Sequence, residues 1–166
     1  KEVGMKTIPL TQGKMVLVDD DDYETLMQFK WVYKKPGHRR TAYAVRGKIV
    51  GYEAGKKYTT IAMHRVIMRS PIGYEIDHIN GNGLDNRKEN LRIATRAQNQ
   101  QNRNILRHNT SGYKGVSKDR ETWRAQIRVN NTIMRLGRFR DKISAAIAYN
   151  EAAKKYHGEF ARLNPL

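Results

Sequence analysis

Residues 75–100 read EIDHINGNGLDNRKENLRIATRAQNQ, an unusual succession of residue types. A short apolar run ends in an acid and an imidazole side by side, Asp77 and His78. Two tight-turn dipeptides, Asn80-Gly81 and Asn82-Gly83, follow, and these favour a sharp reversal of the chain. After a polar stretch ending at Asn90, LRIA reads as a second strand. Thr95, with Gln98 three residues on, then forms a capping box that opens a helix running to about Arg103. The order is strand, loop, strand, helix. Adjacent side chains of a strand point to opposite faces, so Asp77 and His78 serve two different sides.

The surroundings are strongly basic. The 166 residues carry 32 Lys and Arg against 16 Asp and Glu, a formal charge of +16. Such a field attracts polyanions, above all nucleic acid. Hydrophobic residues make up 39% and charged ones 29%, which permits a modest core divided among small modules. No apolar run approaches the ~20 residues needed to cross a bilayer, and KEVGMKTIPL does not read as a secretory signal. No membrane partner is expected. The absence of cysteine excludes disulfides and thiol catalysis and fits a reducing compartment.

Upstream, Met15–Val18 reads as a strand and Asp19–Asp22 as the acidic start of a helix with Leu26, Met27 and Phe29 as apolar positions. Strand-like pieces follow at Trp31–Tyr33, Thr41–Val45 and Lys57–Ile61, with Pro36, Gly37 and Gly55 at turns. MHRVIM, Met63–Met68, reads as a short buried helix ending before Pro71. Downstream, ILRHNTSG reads as a linker. In WRAQIRV, Trp123, Ala125, Ile127 and Val129 alternate with Arg124, Gln126 and Arg128, the period of a half-buried strand with a basic outer face. Asn130-Asn131 turns the chain, and IMRLGRF returns with Met134 and Leu136 inward and Arg135 outward. YKGVS supplies a third strand. Asp141 caps a helix whose apolar face is Ile143, Ala146, Ile147, Tyr149, Ala153 and Tyr156, and Gly158 ends it.

Hydrolysing a phosphodiester requires a base for water, an offset for phosphate charge and stabilisation of the leaving oxygen. Histidine suits the first because its pKa lies near neutrality. A cation with oxygen ligands suits the rest. Of Asp77 and His78 one faces the following helix and the other the opposite side of the scissile phosphate, and Asn99, on the first turn of that helix, can complete a cation's protein ligands. Asn90 can accept a hydrogen bond from one imidazole N–H, leaving the other nitrogen as the base.

Asp77-His78, Asn90 and Asn99, with NGNGLDNRKENL between them, resemble the signature of HNH endonucleases, the His-Me finger or ββα-metal group, and in particular the homing enzymes of phages and introns. The resemblance implies His78 as general base, with Asp77 and Asn99 holding one divalent metal. It implies Asn90 as the middle residue that fixes the loop and the imidazole. Asn stands at position 99 where the name has His, and two oxygen ligands suit Mg²⁺ or Mn²⁺. His64 is a further candidate contact. Arg87, Lys88, Arg92, Arg96, Arg103 and Arg107 read as DNA contacts beside the phosphate. His38, His108 and His157 need no chemistry.

The carboxy-terminal block, YKGVS…TWRAQIRV…RLGRF…AAIAYNEAAKKYHGEFARLN, resembles the DNA-binding domain of plant ethylene-response factors (APETALA-type). That fold lays a three-stranded sheet in the major groove with one helix behind. The resemblance places Lys114, Ser117, Trp123, Arg124, Gln126, Arg128 and Arg135 at DNA, Ser117 standing where plant members usually carry Arg.

The expectation is an α+β protein, a ββα-metal nuclease module plus a small three-stranded antiparallel sheet with one packed helix. Residues 1–62 form an amino-terminal segment of the nuclease part, 63–104 the nuclease module, 105–112 a linker and 113–166 the reading domain. The expected function is a metal-dependent, strand-nicking homing endonuclease acting as a monomer on double-stranded DNA, phage-encoded and working in the cytoplasm of a bacterial host. The rival expectation is a non-catalytic, sequence-specific regulator with a relic nuclease module.

Overall fold

The computed structural model describes residues 4–35, 37, 41–51, 57–105 and 108–166. Pro36, His38, Gly55 and Arg107, read above as turns, polar surroundings or basic surface, lie outside these. The chain divides into two compact units, residues 1–96 and 97–166. The architecture is α+β throughout, small antiparallel sheets with few helices.

In the first unit, β1 (Met5–Pro9) and β2 (Met15–Asp19) form an antiparallel hairpin. Alternation along β2 buries Val16 and Val18. Helix α1 (Asp20–Met27) starts directly after it, with Asp20, Asp21 and Asp22 in its first turn, where acids oppose the helix dipole. Of the apolar positions expected on this helix only Leu26 turns inward, while Met27 and Phe29 are exposed. Tyr23, a turn earlier, shares the inner face with Leu26, and Phe29 lies beyond the last turn, edge-on to Trp31 and beneath the Arg46 guanidinium. Trp31 is buried and donates its indole N–H to Leu26 O at 2.8 Å, so its one polar group is satisfied.

Strands β3 (Val32–Lys34), β4 (Tyr43–Gly51) and β5 (Lys57–Ala62) make a second sheet in that order. Helix α2 (Met63–Met68) follows β5 without a break and stops at Arg69, which is left-handed. Ile8, Leu10, Val16, Val18, Leu26, Trp31, Ala44 and Met63 form the core. The last hairpin pairs β6 (Glu75–His78) with β7 (Leu91–Ala94). Helix α3 (Arg96–Gln101) begins right after Thr95, as the capping box required, and falls at the division between the units.

The second unit holds β8 (Val116–Asp119), β9 (Thr122–Val129) and β10 (Thr132–Phe139), ordered β10-β9-β8 and antiparallel. Asn130 and Asn131 both take positive φ, as a two-residue hairpin turn demands. Helix α4 (Lys142–His157) packs on this sheet. Asp141 caps it, accepting from Ile143 N and Ser144 N at 2.9 and 2.8 Å.

The face of α4 differs from the expected one. Ala145, Ala146, Tyr149, Ala152 and Ala153 are buried, whereas Ile143 and Ile147 are 51% and 42% exposed and Tyr156 is exposed too. Small side chains win the inner face because the helix lies close to the sheet. Gly115, at φ +75°, marks how close: a Cβ there would sit 2.1 Å from the Tyr149 ring and 2.6 Å from Gln126 O. Met134 is likewise exposed, near the turn end of its hairpin, while Leu136 packs against the core. Asn150 and Asn164, both buried, bond each other through side chain and backbone, and Asn164 also bonds Lys114 N and O. This anchors the carboxy-terminal tail.

Among the described residues no helix is long and apolar enough to cross a membrane.

Gly115→Ala combines a left-handed backbone with a clash against a buried ring, and should destabilise the second unit by ~2–5 kcal/mol. Thermal unfolding followed by calorimetry checks this: the transition of the second unit shifts down while that of the first unit stays in place.

Candidate active site

The loop between β6 and β7 is laced by its own amides. Asn90 closes it: its Oδ1 accepts from Asn80 N at 3.0 Å and its Nδ2 donates to Asp85 O at 2.8 Å. Asn80 Nδ2 donates to Asp85 Oδ2 at 2.9 Å, while Asn80 Oδ1 accepts from Asn82 N and Asn82 Oδ1 from Leu84 N. These short side chains substitute for ladder bonds that an irregular loop lacks. Gly83 is needed for fit, since a Cβ there would lie 2.3 Å from Ala42 O and 2.7 Å from the Tyr43 ring.

A second grip comes from β2. Leu17 N donates to Leu84 O and Leu17 O accepts from Asn86 N, each at 2.8 Å. Asp19 Oδ2 accepts from Lys88 N at 2.8 Å, and Asp22 pairs with Lys88 Nζ at 2.8 Å. The acidic run therefore does more than start a helix; it fastens the loop.

This holds Asn86 in place, fully buried, under the imidazole of His78. Asn86 Oδ1 lies 3.2 Å from His78 Nε2. An amide oxygen only accepts, so Nε2 carries the hydrogen and Nδ1 the lone pair. Burial lowers the pKa of His78 below its usual value; the Asn86 bond and the Asp77 and Asp85 carboxylates act against that. Asn86, not Asn90, meets the ring, and Asn90 acts on the loop alone. Two aromatic rings flank His78: Tyr43 at 5.8 Å and His64, from α2, at 5.0 Å between centroids.

Asp77 faces the other side of β6, directly opposite Arg92 on β7. Both are largely withdrawn from solvent, and Arg92 donates from Nε and Nη2 to Asp77 Oδ2 at 2.8 and 2.7 Å. Asn99 is half buried on α3, in the second unit. A carboxylate and an amide oxygen are hard donors that fit Mg²⁺ or Mn²⁺ in kind. Among the described residues no three His, Cys, Asp or Glu side chains gather as a metal site.

With that arrangement in view, comparison with known proteins is decisive. Residues 62–101 match the family model for HNH endonucleases. The chain is 38% identical over 94 residues to Protein 3.8 of Escherichia phage T7, covering 55% of this chain and 77% of that protein. This chain carries an HNH endonuclease domain. It is also 29% identical over 158 residues to an uncharacterized HNH endonuclease, L560, of Acanthamoeba polyphaga mimivirus, covering 93% of this chain and 77% of that protein. No solved structure matches it.

The nuclease's basic residues are not all disposed alike. Arg87 forks onto Asp85 at 2.8 and 2.9 Å and also pairs with Glu89; Lys88 and Arg92 are paired as described. Arg96 and Arg103 are exposed. In the second unit Lys114 Nζ donates to Gln101 O and Arg103 O. Trp123 is partly buried against the core, with Lys118 over its ring. Cross-strand register puts Ser117, Arg124 and Arg138 in one row and Arg135 with Gln126 in the next, with Arg128 beyond. Arg138 is a member that plain alternation misses. The bulge between Arg135 and Gly137 shifts parity, so arginines three apart share a face.

Arg87 holds Asp85 below the ordinary carboxylate range, chiefly through its hydrogen bonds. A depressed carboxylate stabilises the fold above its unfolded value of about 3.9 and ceases to do so as pH falls through the folded value. Asp85→Asn should cost ~1–2 kcal/mol at pH 7. In melts down to pH 3 and below, the gap from wild type should narrow.

Proposed function

We propose that this nuclease is a metal-dependent DNA endonuclease of the phage homing type that nicks one strand of duplex DNA. The observation carrying this reading is the Asn86–His78 bond, which supports Nδ1 as the base nitrogen. His78 takes a proton from water through Nδ1. The hydroxide attacks phosphorus in line as the bond to the 3′ oxygen breaks, and that oxygen gains its proton from solvent, leaving 5′-phosphate and 3′-hydroxyl ends. A divalent cation, Mg²⁺ or Mn²⁺, held by Asp77 and Asn99, would supply the Lewis-acid stabilisation of charge on the phosphate and the leaving oxygen. That assignment rests on the motif within the matched residues 62–101. Arg92 fixes the Asp77 carboxylate, and Asn90 keeps the loop, and hence Asn86, in place.

The second unit reads duplex DNA in this proposal, on the resemblance to ethylene-response-factor domains. Support comes from the outward face of its sheet, where Arg124, Gln126, Arg128, Arg135 and Arg138 share one side. Arg and Gln are donors suited to base edges and phosphates in the major groove. Arg96 and Arg103 would add phosphate contacts. One site per chain makes a monomer a nicking enzyme, phage-encoded and active in the host cytoplasm.

Supercoiled plasmid carrying phage DNA should relax to open circle with Mg²⁺ or Mn²⁺ and stay intact with EDTA. His78→Ala should lower the rate by roughly 10²-fold or more; full activity in that variant would remove the mechanism. Binding without cleavage under every metal condition would favour a regulator instead. Arg128→Ala should reduce the dependence of log K on log salt by about one unit if the side chain meets a phosphate, as read by fluorescence anisotropy on the same DNA.

A further inference from the structure

His64 is a histidine that neither the motif nor the proposed mechanism uses. It occupies the second position of α2, beside Met63, which is fully buried in the core of the first unit. Its ring stands 85° to that of His78, centroids 5.0 Å apart, and 70° to that of Tyr43 at 5.5 Å. Tyr43 in turn lies 5.8 Å from His78. Three aromatic rings thus meet in one cluster, and its outer wall is set by Gly83, where a Cβ would strike the Tyr43 ring.

We propose that His64 is a positioning residue for the general base: with Tyr43 it forms an aromatic cradle that fixes the ring plane of His78 on the Asn86 hydrogen bond. The inference rests on the reading of His78 as that base. A hydrogen bond at one nitrogen still lets an imidazole swing about its Cβ–Cγ bond, the soft torsion of a histidine. The edge-to-face contact with His64 and the tilted contact with Tyr43 remove that freedom, because such pairs have a preferred geometry. Without them the ring leaves Asn86, and the hydrogen no longer stays on Nε2. Ring orientation of this kind is what catalysis by positioning depends on.

Charge supports the same role. Burial above all, then the neighbouring His78 and Arg65, pushes the pKa of His64 down to about 3. His64 therefore remains neutral wherever the nuclease works. A neutral π-system tolerates the imidazolium that His78 becomes after taking a proton, whereas a second cation at this distance would oppose it.

The test uses His64→Phe, which keeps an aromatic ring, and His64→Leu, which fills the space without one. Imidazole ¹⁵N NMR of the full chain reads the tautomer of His78 without needing a DNA target. Plasmid nicking with Mn²⁺ gives kcat and KM. Wild type and His64→Phe should show His78 as a single Nε2–H tautomer, with kcat within about twofold. His64→Leu should show averaged ring nitrogens and a kcat about tenfold lower with KM unchanged. Wild-type nitrogen shifts and kcat in His64→Leu would overturn the cradle, and so would a rise in KM alone, which would place His64 on DNA. His78→Ala, run beside these, separates the two ideas. Full activity there removes the general-base reading, while the NMR comparison still judges the cradle.

Discussion

Two backbone hydrogen bonds at Leu17, one donated to Leu84 and one accepted from Asn86, govern the geometry of the candidate site. They join the first hairpin of the chain to the loop that follows Asp77 and His78. An irregular loop with two Asn-Gly turns has high conformational freedom, and side-chain amides alone restrain it locally. Leu17 ties it to a strand whose neighbours Val16 and Val18 are in the core. Asn86 inherits that rigidity and transmits it to His78.

The Asp-His pair is explained by what lies on each side of β6. The imidazole faces a buried, aromatic environment in which the Asn86 amide accepts from it. The carboxylate faces an arginine directly across the hairpin. A strand separates these two environments by a single residue step, which no helix achieves. The arrangement brings basicity and anionic charge close together without letting them neutralise one another through a direct bond.

Much of this was legible in the sequence. The strand–loop–strand–helix order, the hairpin turn at Asn130-Asn131, the Asp141 cap and the stop at Gly158 each follow from local chemistry, and they stand where local chemistry puts them. The partner of His78 was not legible. Asn86 is one of four asparagines between Asn80 and Asn90, and only the bond from its backbone to Leu17, distant in sequence, selects it. The inner face of α4 was misread because size counts for more than hydropathy where a helix sits close to a sheet. Arg138 escaped because a bulge changes parity without leaving a mark in the residue pattern. Arg87 and Lys88 appeared as a basic surface, while their acidic partners are set by loop geometry that charge counting does not register.

The Leu17 grip also separates two ideas of what a module is. The stretch that matches the family model, residues 62–101, contains the Asp77-His78 pair, yet it does not contain what shapes its own loop. The strand that does so arises more than forty residues earlier, and the core behind it draws on Ile8, Leu26 and Trp31. The leading hairpin and the loop it braces therefore act as one mechanical piece, so that loosening the first loosens the second.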